Sequence, residues 1–268
     1  MIEPIVQPKP TEECLPIDMG MWLVRGGYAE LVANTPDGPA KGESKTSSAV
    51  LRRMLQVFVT YLVLAAILFF SSGNLNWTWA WAYLGVGLVI LVINAVIVPA
   101  ELIAERGQPG DNVKRWDKLL ATLTGLPTLG VPIVAGLDER FAWSPPLAPV
   151  IHLTGLAFFA AGQGLFSWAM ASNKYFSTAV RIQTDRGHTV ATGGPYRYVR
   201  HPGYVGFAVS FFGTSLALGS LWALIPAGLI ACLLAVRTAL EDRTLQDELS
   251  GYRDYAQRVR YRLLPGIW

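Results

Sequence analysis

The chain has 268 residues, 52% of them hydrophobic and only 15% charged, against a charged share of roughly 25% in an average soluble domain. That is membrane composition, and it excludes an ordinary soluble domain; the net charge of +3 decides nothing until the positions of the basic residues are read. Two cysteines, Cys14 and Cys232, lie far apart and outside any CxxC or Cys/His cluster, so neither a structural metal nor a disulfide framework is expected.

Residues 1–49 hold no apolar run long enough for a signal peptide, because Met19 to Val24 is short and followed by Arg25. The stretch is rich in Pro, Gly, Thr and Ser and reads as a partly disordered cytoplasmic extension with a short interfacial helix around Met19 to Ala33. From Met54 the pattern changes to long uncharged runs: Met54 to Phe70, Trp77 to Val98, Leu119 to Leu137 and Val150 to Met170. Each is close to the ~20 residues a spanning helix needs. Two shorter runs follow, Tyr204 to Leu218 and Leu221 to Val236, separated by Gly219 and Ser220, which predicts a tight helical hairpin. The expected fold is therefore all-α: a membrane bundle of about six helices, with four in residues 50–170 and a C-terminal core in residues 171–268.

The basic residues then fall into place. From Lys41 onward, every Lys and Arg lies on one side of the six spans except Arg140, so the positive-inside rule puts both termini in the cytoplasm. The basic excess reports orientation, and no nucleic-acid partner is expected. Trp77, Trp79, Trp81 and Trp143 sit near the opposite boundary, where indole rings anchor helices. Pro127 and Pro132 inside the third span remove backbone donors and predict a kink. His152 is the one ionisable residue within the six runs; at a span end it reads as structural, and ion or proton pathways show more such groups.

Polar information is densest in residues 173–207, NKYFSTAVRIQTDRGHTVATGGPYRYVRHPGYVGF. Gly193, Gly194 and Pro195 signal a turn, Pro202 suits a helix start, and Gly203 lets backbone approach a ligand closely. The free amides of that helix start favour an anion, while His201 and Tyr204 offer polar tips on aromatic bodies. The plain alternative is a juxtamembrane loop whose Arg197 and Arg200 snorkel to headgroups. In residues 236–268, Arg237 and Glu241 are four apart on a continuing helix, either as a surface salt bridge or as the wall of a cavity in which Arg237 clamps a carboxylate.

The run GPYRYVRHPGY, the apolar hairpin after it, then Arg237, Glu241 and Asp242, then GYRDYAQRV, resembles the C-terminal core of the isoprenylcysteine carboxyl methyltransferase family. The resemblance covers about residues 173–268; VKRWDKLL, residues 113–120, is also similar to bacterial-type members. It implies a membrane enzyme using S-adenosyl-L-methionine. By position, His188, Thr189, Val190, Ala191, Tyr196, His201, Pro202, Gly203, Tyr204 and Glu241 match cofactor contacts, and Arg237 matches a substrate position and is the candidate catalytic residue. Asp242 departs from the family's usual second Glu, and either Arg181 or Gln183 corresponds to one further cofactor contact.

The implied reaction is transfer of a methyl group to a carboxylate of a lipid-like or prenylcysteine-like acceptor at the cytoplasmic mouth of the bundle. The implied location is the bacterial cytoplasmic membrane, or the endoplasmic reticulum in a eukaryote. Membrane lipids are the surroundings, and no metal is required. Two readings stand beside it: methylation of a phospholipid amine or small thiol, and an NADPH-dependent sterol-type reductase, which the ending YAQRVRYRLLPGIW is also similar to.

Overall fold

The computed structural model describes residues 41–98, 102–103 and 113–268; the expected interfacial helix at Met19 to Ala33 lies outside them. The tertiary contacts that follow belong to the compact unit Ser44–Trp268.

Seven α-helices occur among the described residues: α1 Lys41–Ser72, α2 Thr78–Ile97, α3 Arg115–Phe141, α4 Pro149–Ala171, α5 Pro202–Ala217, α6 Leu224–Glu248 and α7 Tyr252–Arg258. Five of them, α1 to α4 and α6, are long and apolar enough to cross a membrane, and the protein is a multi-pass membrane helical bundle. The sixth expected pass is α5, 16 residues long and so about 24 Å. Its far end reaches the same level as its neighbours, because Ser220 just beyond it donates to Asp138 Oδ2 near the end of α3 at 2.5 Å. Asp138 also accepts the Ser144 amide and hydroxyl at 2.6 Å each, while Ser220 Oγ accepts the amide of Ala223 at 3.0 Å at the entry to α6. One buried carboxylate thus ties the α3–α4 and α5–α6 connections together at that end.

α4 and α5 pack antiparallel through small residues. A Cβ built on Gly155 would lie 2.2 Å from the Ala217 nitrogen, one on Gly213 2.3 Å from the Phe159 nitrogen, and one on Gly162 2.6 Å from the Gly206 oxygen. With no hydrophobic force to join helices inside a bilayer, such close backbone approach is what supplies packing contact. Large apolar side chains on α1 to α4, including Phe58, Val89, Val92, Leu126 and Phe158, point outward, as a lipid-facing surface requires.

Two expectations change. Trp77 is 3% exposed, inside the core with Leu68, Tyr83 and Phe159, and Trp79 stacks on His152 with ring centroids 4.3 Å apart; only Trp81 and Trp143 stand exposed. An indole that meets a neighbouring helix gains more by packing than by anchoring. The last pass extends past Val236 to Glu248, and the first helix starts at Lys41, because helix propensity continues where apolarity stops. His152 holds as a structural residue, with Nδ1 2.9 Å from the Ala217 carbonyl.

Candidate active site

At the other end of the bundle the long α4–α5 connection folds over the starts of α3 and α5 and the end of α6. Gln183 organises its first half. Its side chain is 1% exposed, its Nε2 donates to the Tyr175 carbonyl at 2.8 Å, and its Oε1 accepts from Arg186 at 2.9 Å. The Gln183 amide donates to His188 Nδ1 at 3.3 Å, which leaves the His188 proton on Nε2. Burial, with Arg181 and Arg186 nearby, lowers the His188 pKa, so the ring is neutral at physiological pH. Tyr175 closes this hairpin-like loop by donating to the Gly187 carbonyl at 2.5 Å.

The second half is positioned by a buried charge cluster. Asp242 on α6 is 0% exposed and accepts Arg200 Nε at 2.7 Å, Arg200 Nη2 at 3.0 Å, Arg262 Nε at 2.9 Å, Gln246 Nε2 at 2.8 Å and the Tyr252 hydroxyl at 2.9 Å. Arg200 spends its remaining nitrogen on the carbonyls of Ala256, Val259 and Arg260. Backbone bonds from Arg200 to Tyr261 and from His201 to Arg262, at 3.0 and 2.9 Å, complete the clasp. Such a carboxylate is tolerable in the interior only because every lone pair is used. Arg200 is therefore no snorkelling residue, whereas Arg197 is exposed.

Between these halves lies a solvent-open cleft. The expected residues His188, Thr189, Val190, Ala191, Tyr196, His201, Gly203, Tyr204 and Glu241 all line it, as do both Arg181 and Gln183. Pro202 does not: it is buried at the first position of α5, where it shapes the helix start. His201 and Tyr204 stack nearly parallel, with centroids 5.8 Å apart, and the Tyr204 hydroxyl donates to Glu241 Oε2 at 2.5 Å. Burial raises the Tyr196 pKa, so it remains a phenol; it accepts from Asn173 at 3.3 Å. Gly203 leaves no room for a side chain, since a Cβ there would stand 2.9 Å from the Phe176 ring.

Arg237 lies outside the cleft lining and makes no salt bridge with Glu241. Its guanidinium sits 5.4 Å from the centroid of the Tyr204 ring, with Nε donating to Asp117 Oδ1 at 2.8 Å and Nη2 to the Thr178 carbonyl at 2.9 Å. Tyr204 is thus shared: its hydroxyl meets the cleft carboxylate and its ring meets the cation. Residue-level reading missed Asp117, although VKRWDKLL contains it, and missed Tyr175, Leu245, Leu249, Tyr252 and Tyr255 in the lining. The last two fall in GYRDYAQRV, whose spacing gave no hint of which side faces the cleft. Among the described residues no three His, Cys, Asp or Glu side chains are grouped to hold a metal ion.

Residues 150–250 match the family model described as phospholipid methyltransferase. The chain is 40% identical over 72 residues to the protein-S-isoprenylcysteine O-methyltransferase of Schizosaccharomyces pombe, covering 26% of this chain and 30% of that one. It is 31% identical over 131 residues to the mouse protein of the same name, covering 45% and 44%, and 30% identical over the same length to the human one. The chain thus spans less than half the length of these relatives. The segment matched by the family model runs from α4 through α6 and holds most of the cleft lining, so the similarity to phospholipid and protein-S-isoprenylcysteine methyltransferases falls on the candidate site.

Proposed function

We propose that the protein is a membrane methyltransferase that takes S-adenosyl-L-methionine in the cleft and methylates a carboxylate of a lipid-like, prenylcysteine-like acceptor. The observation that carries the reading is the arrangement around Tyr204: a cleft with a stacked His201 and a carboxylate at Glu241 on one hand, and a bilayer-proximal guanidinium at Arg237 on the other.

The residues present fit the cofactor. Glu241 has one oxygen engaged by Tyr204 and a second available to an amine or a hydroxyl, and the aromatic lining of Tyr175, Phe176, Tyr196 and Tyr204 suits a heteroaromatic base. S-adenosyl-L-methionine, when bound, supplies a methyl group on a sulfonium, which passes to a nucleophilic oxygen while the sulfur keeps the electron pair of the broken bond. Arg237 orients the acceptor carboxylate and stabilises it up to the moment of transfer. A carboxylate is already ionised at neutral pH, so the chain has no proton to move. Closure of the loop by Tyr175 and Gln183 keeps competing water away.

The cleft lies on the cytoplasmic side, to which the Lys and Arg distribution assigns the loop. An apolar groove between α2 and α4, with Val86, Ile90 and Ile93 facing Ala160, Gly164 and Trp168, gives an acceptor's tail a path from the bilayer. The second reading is a phospholipid amine as acceptor, favoured by the description of the matching family model.

Product chemistry separates the readings. Purified protein is supplied with methyl-labelled S-adenosyl-L-methionine and either N-acetyl-S-farnesylcysteine or phosphatidylethanolamine. Base-labile label on the farnesylcysteine, the mark of a methyl ester, is the expected result. Base-stable label on the phospholipid alone establishes the second reading, and no transfer, with binding of NADPH instead, overturns both.

A further inference from the structure

We infer that Asp117 is the positioning residue that makes Arg237 a carboxylate clamp; the inference rests on the proposed acceptor and deepens it. Asp117 is 1% exposed, at the start of α3 and 120 residues from Arg237. A buried carboxylate is costly unless both oxygens are used, and here they are used on two different partners. Oδ1 accepts Arg237 Nε at 2.8 Å, and Oδ2 accepts the Val180 amide at 2.8 Å.

The second bond is not independent of the first. Val180 belongs to the segment whose Thr178 carbonyl accepts Arg237 Nη2 at 2.9 Å, and that segment is also held to α3 by the Lys114 amide, which donates to the Val180 carbonyl at 3.2 Å. Asp117 therefore fixes the guanidinium twice, directly through Nε and indirectly by placing the carbonyl that takes Nη2. The circuit closes through α3, the loop and α6.

Its consequence is a plane with a defined free edge. Of the five N–H groups of a guanidinium, two are consumed by the circuit. Nη1 carries no protein partner among the described residues and is not among the buried polar atoms left without one. A carboxylate acceptor is thus offered a fixed fork rather than a long side chain that must be ordered on binding. The Tyr204 ring at 5.4 Å limits the remaining tilt.

The test is a double-mutant cycle on the purified protein with N-acetyl-S-farnesylcysteine as acceptor. Asp117→Asn can offer an oxygen to only one of the two donors, so it is expected to lower acceptor kcat/KM by about 10- to 100-fold. Affinity for S-adenosyl-L-methionine should stay within about threefold, and the Asp117→Asn/Arg237→Ala double variant should be no worse than Arg237→Ala alone. Asp117→Glu keeps both acceptors and should recover part of the loss; it also keeps the test open should the amide variant fail to fold. An unchanged kcat/KM in Asp117→Asn, or a loss that multiplies with that of Arg237→Ala, or a matching fall in cofactor affinity, overturns the inference. A wild-type protein that transfers no methyl group, or an Arg237→Ala variant as active as wild type, instead overturns the proposed function itself.

Discussion

Asp242 is the residue on which most of the architecture around the cleft converges, yet it does not line the cleft. Removing it leaves the buried Arg200 without a counter-charge beside the partly exposed Arg262, and breaking a buried pair of this kind costs roughly 3–5 kcal/mol. Asp242→Ala should therefore lower the thermal midpoint of the detergent-solubilised protein by far more than Arg243→Ala, whose side chain is 84% exposed; a fluorescence-detected melt reads the difference. From sequence, Asp242 showed only as a shortened version of a relative's Glu. Its role was not legible because Arg200, Tyr252 and Arg262 meet it only after the chain has turned back twice. His188 was legible as a candidate position, and it lines the cleft, but its protonation was not, because that depends on burial and on Arg181 and Arg186. Because those causes lower its pKa, the folded loop binds a proton less readily than the unfolded one. Its stability is then full above the ordinary value near 6.5 and falls as the pH drops from there toward the lowered native value. Hydrogen-exchange protection factors of residues 183–191, corrected for the intrinsic pH dependence of exchange, should fall between pH 7.5 and 5.5, and His188→Gln should flatten that part of the profile.

Helices α4 and α5 show how packing fixes the site from a distance, since α5 begins at the very residues that line the cleft. A methyl group added at Gly162 would meet the Gly206 oxygen and Ser210 nitrogen at 2.6 Å, backbone atoms that cannot yield, whereas one added at Gly164 meets nothing within 4 Å. Gly162→Ala should cost about 1–3 kcal/mol by overpacking and also weaken cofactor binding by displacing His201 and Tyr204. Gly164→Ala should do neither, and paired melts and cofactor titrations decide it. Apolar run length located the spans well, because it reports the thickness of the hydrocarbon layer. It ended the last span at Val236, since Arg237 is charged, although the helix continues to Glu248. Run length also misjudged Trp77, because indole position along the chain says nothing of which neighbour it meets.

For the whole molecule, the two ends of the bundle carry different chemistry. One end is closed by Asp138, Ser144 and Ser220; the other holds the cleft, Asp117 and the Asp242 cluster. We propose, from the Lys and Arg asymmetry, that the second end faces the cytoplasm. A cysteine at Thr184 should then react with a membrane-impermeant thiol reagent only from the cytoplasmic side, and one at Ala148 only from the opposite side. Multi-pass architecture and the region of the site were readable from spans, charge and the RHPGY run. What the linear chain could not convey was the division of labour at the mouth, where Asp117, 120 positions from Arg237, and Tyr204 both meet its guanidinium.

The proposal that the cleft is a cofactor site separate from the acceptor clamp is tested most directly by calorimetric titration of S-adenosyl-L-methionine into the purified protein and two variants. The wild type should bind one equivalent. Glu241→Gln should bind at least about tenfold more weakly, as loss of a charge-assisted contact implies, and Arg237→Ala should bind within about threefold of wild type. Absence of binding to the wild type, or equal affinity in Glu241→Gln with a large loss in Arg237→Ala, would contradict it.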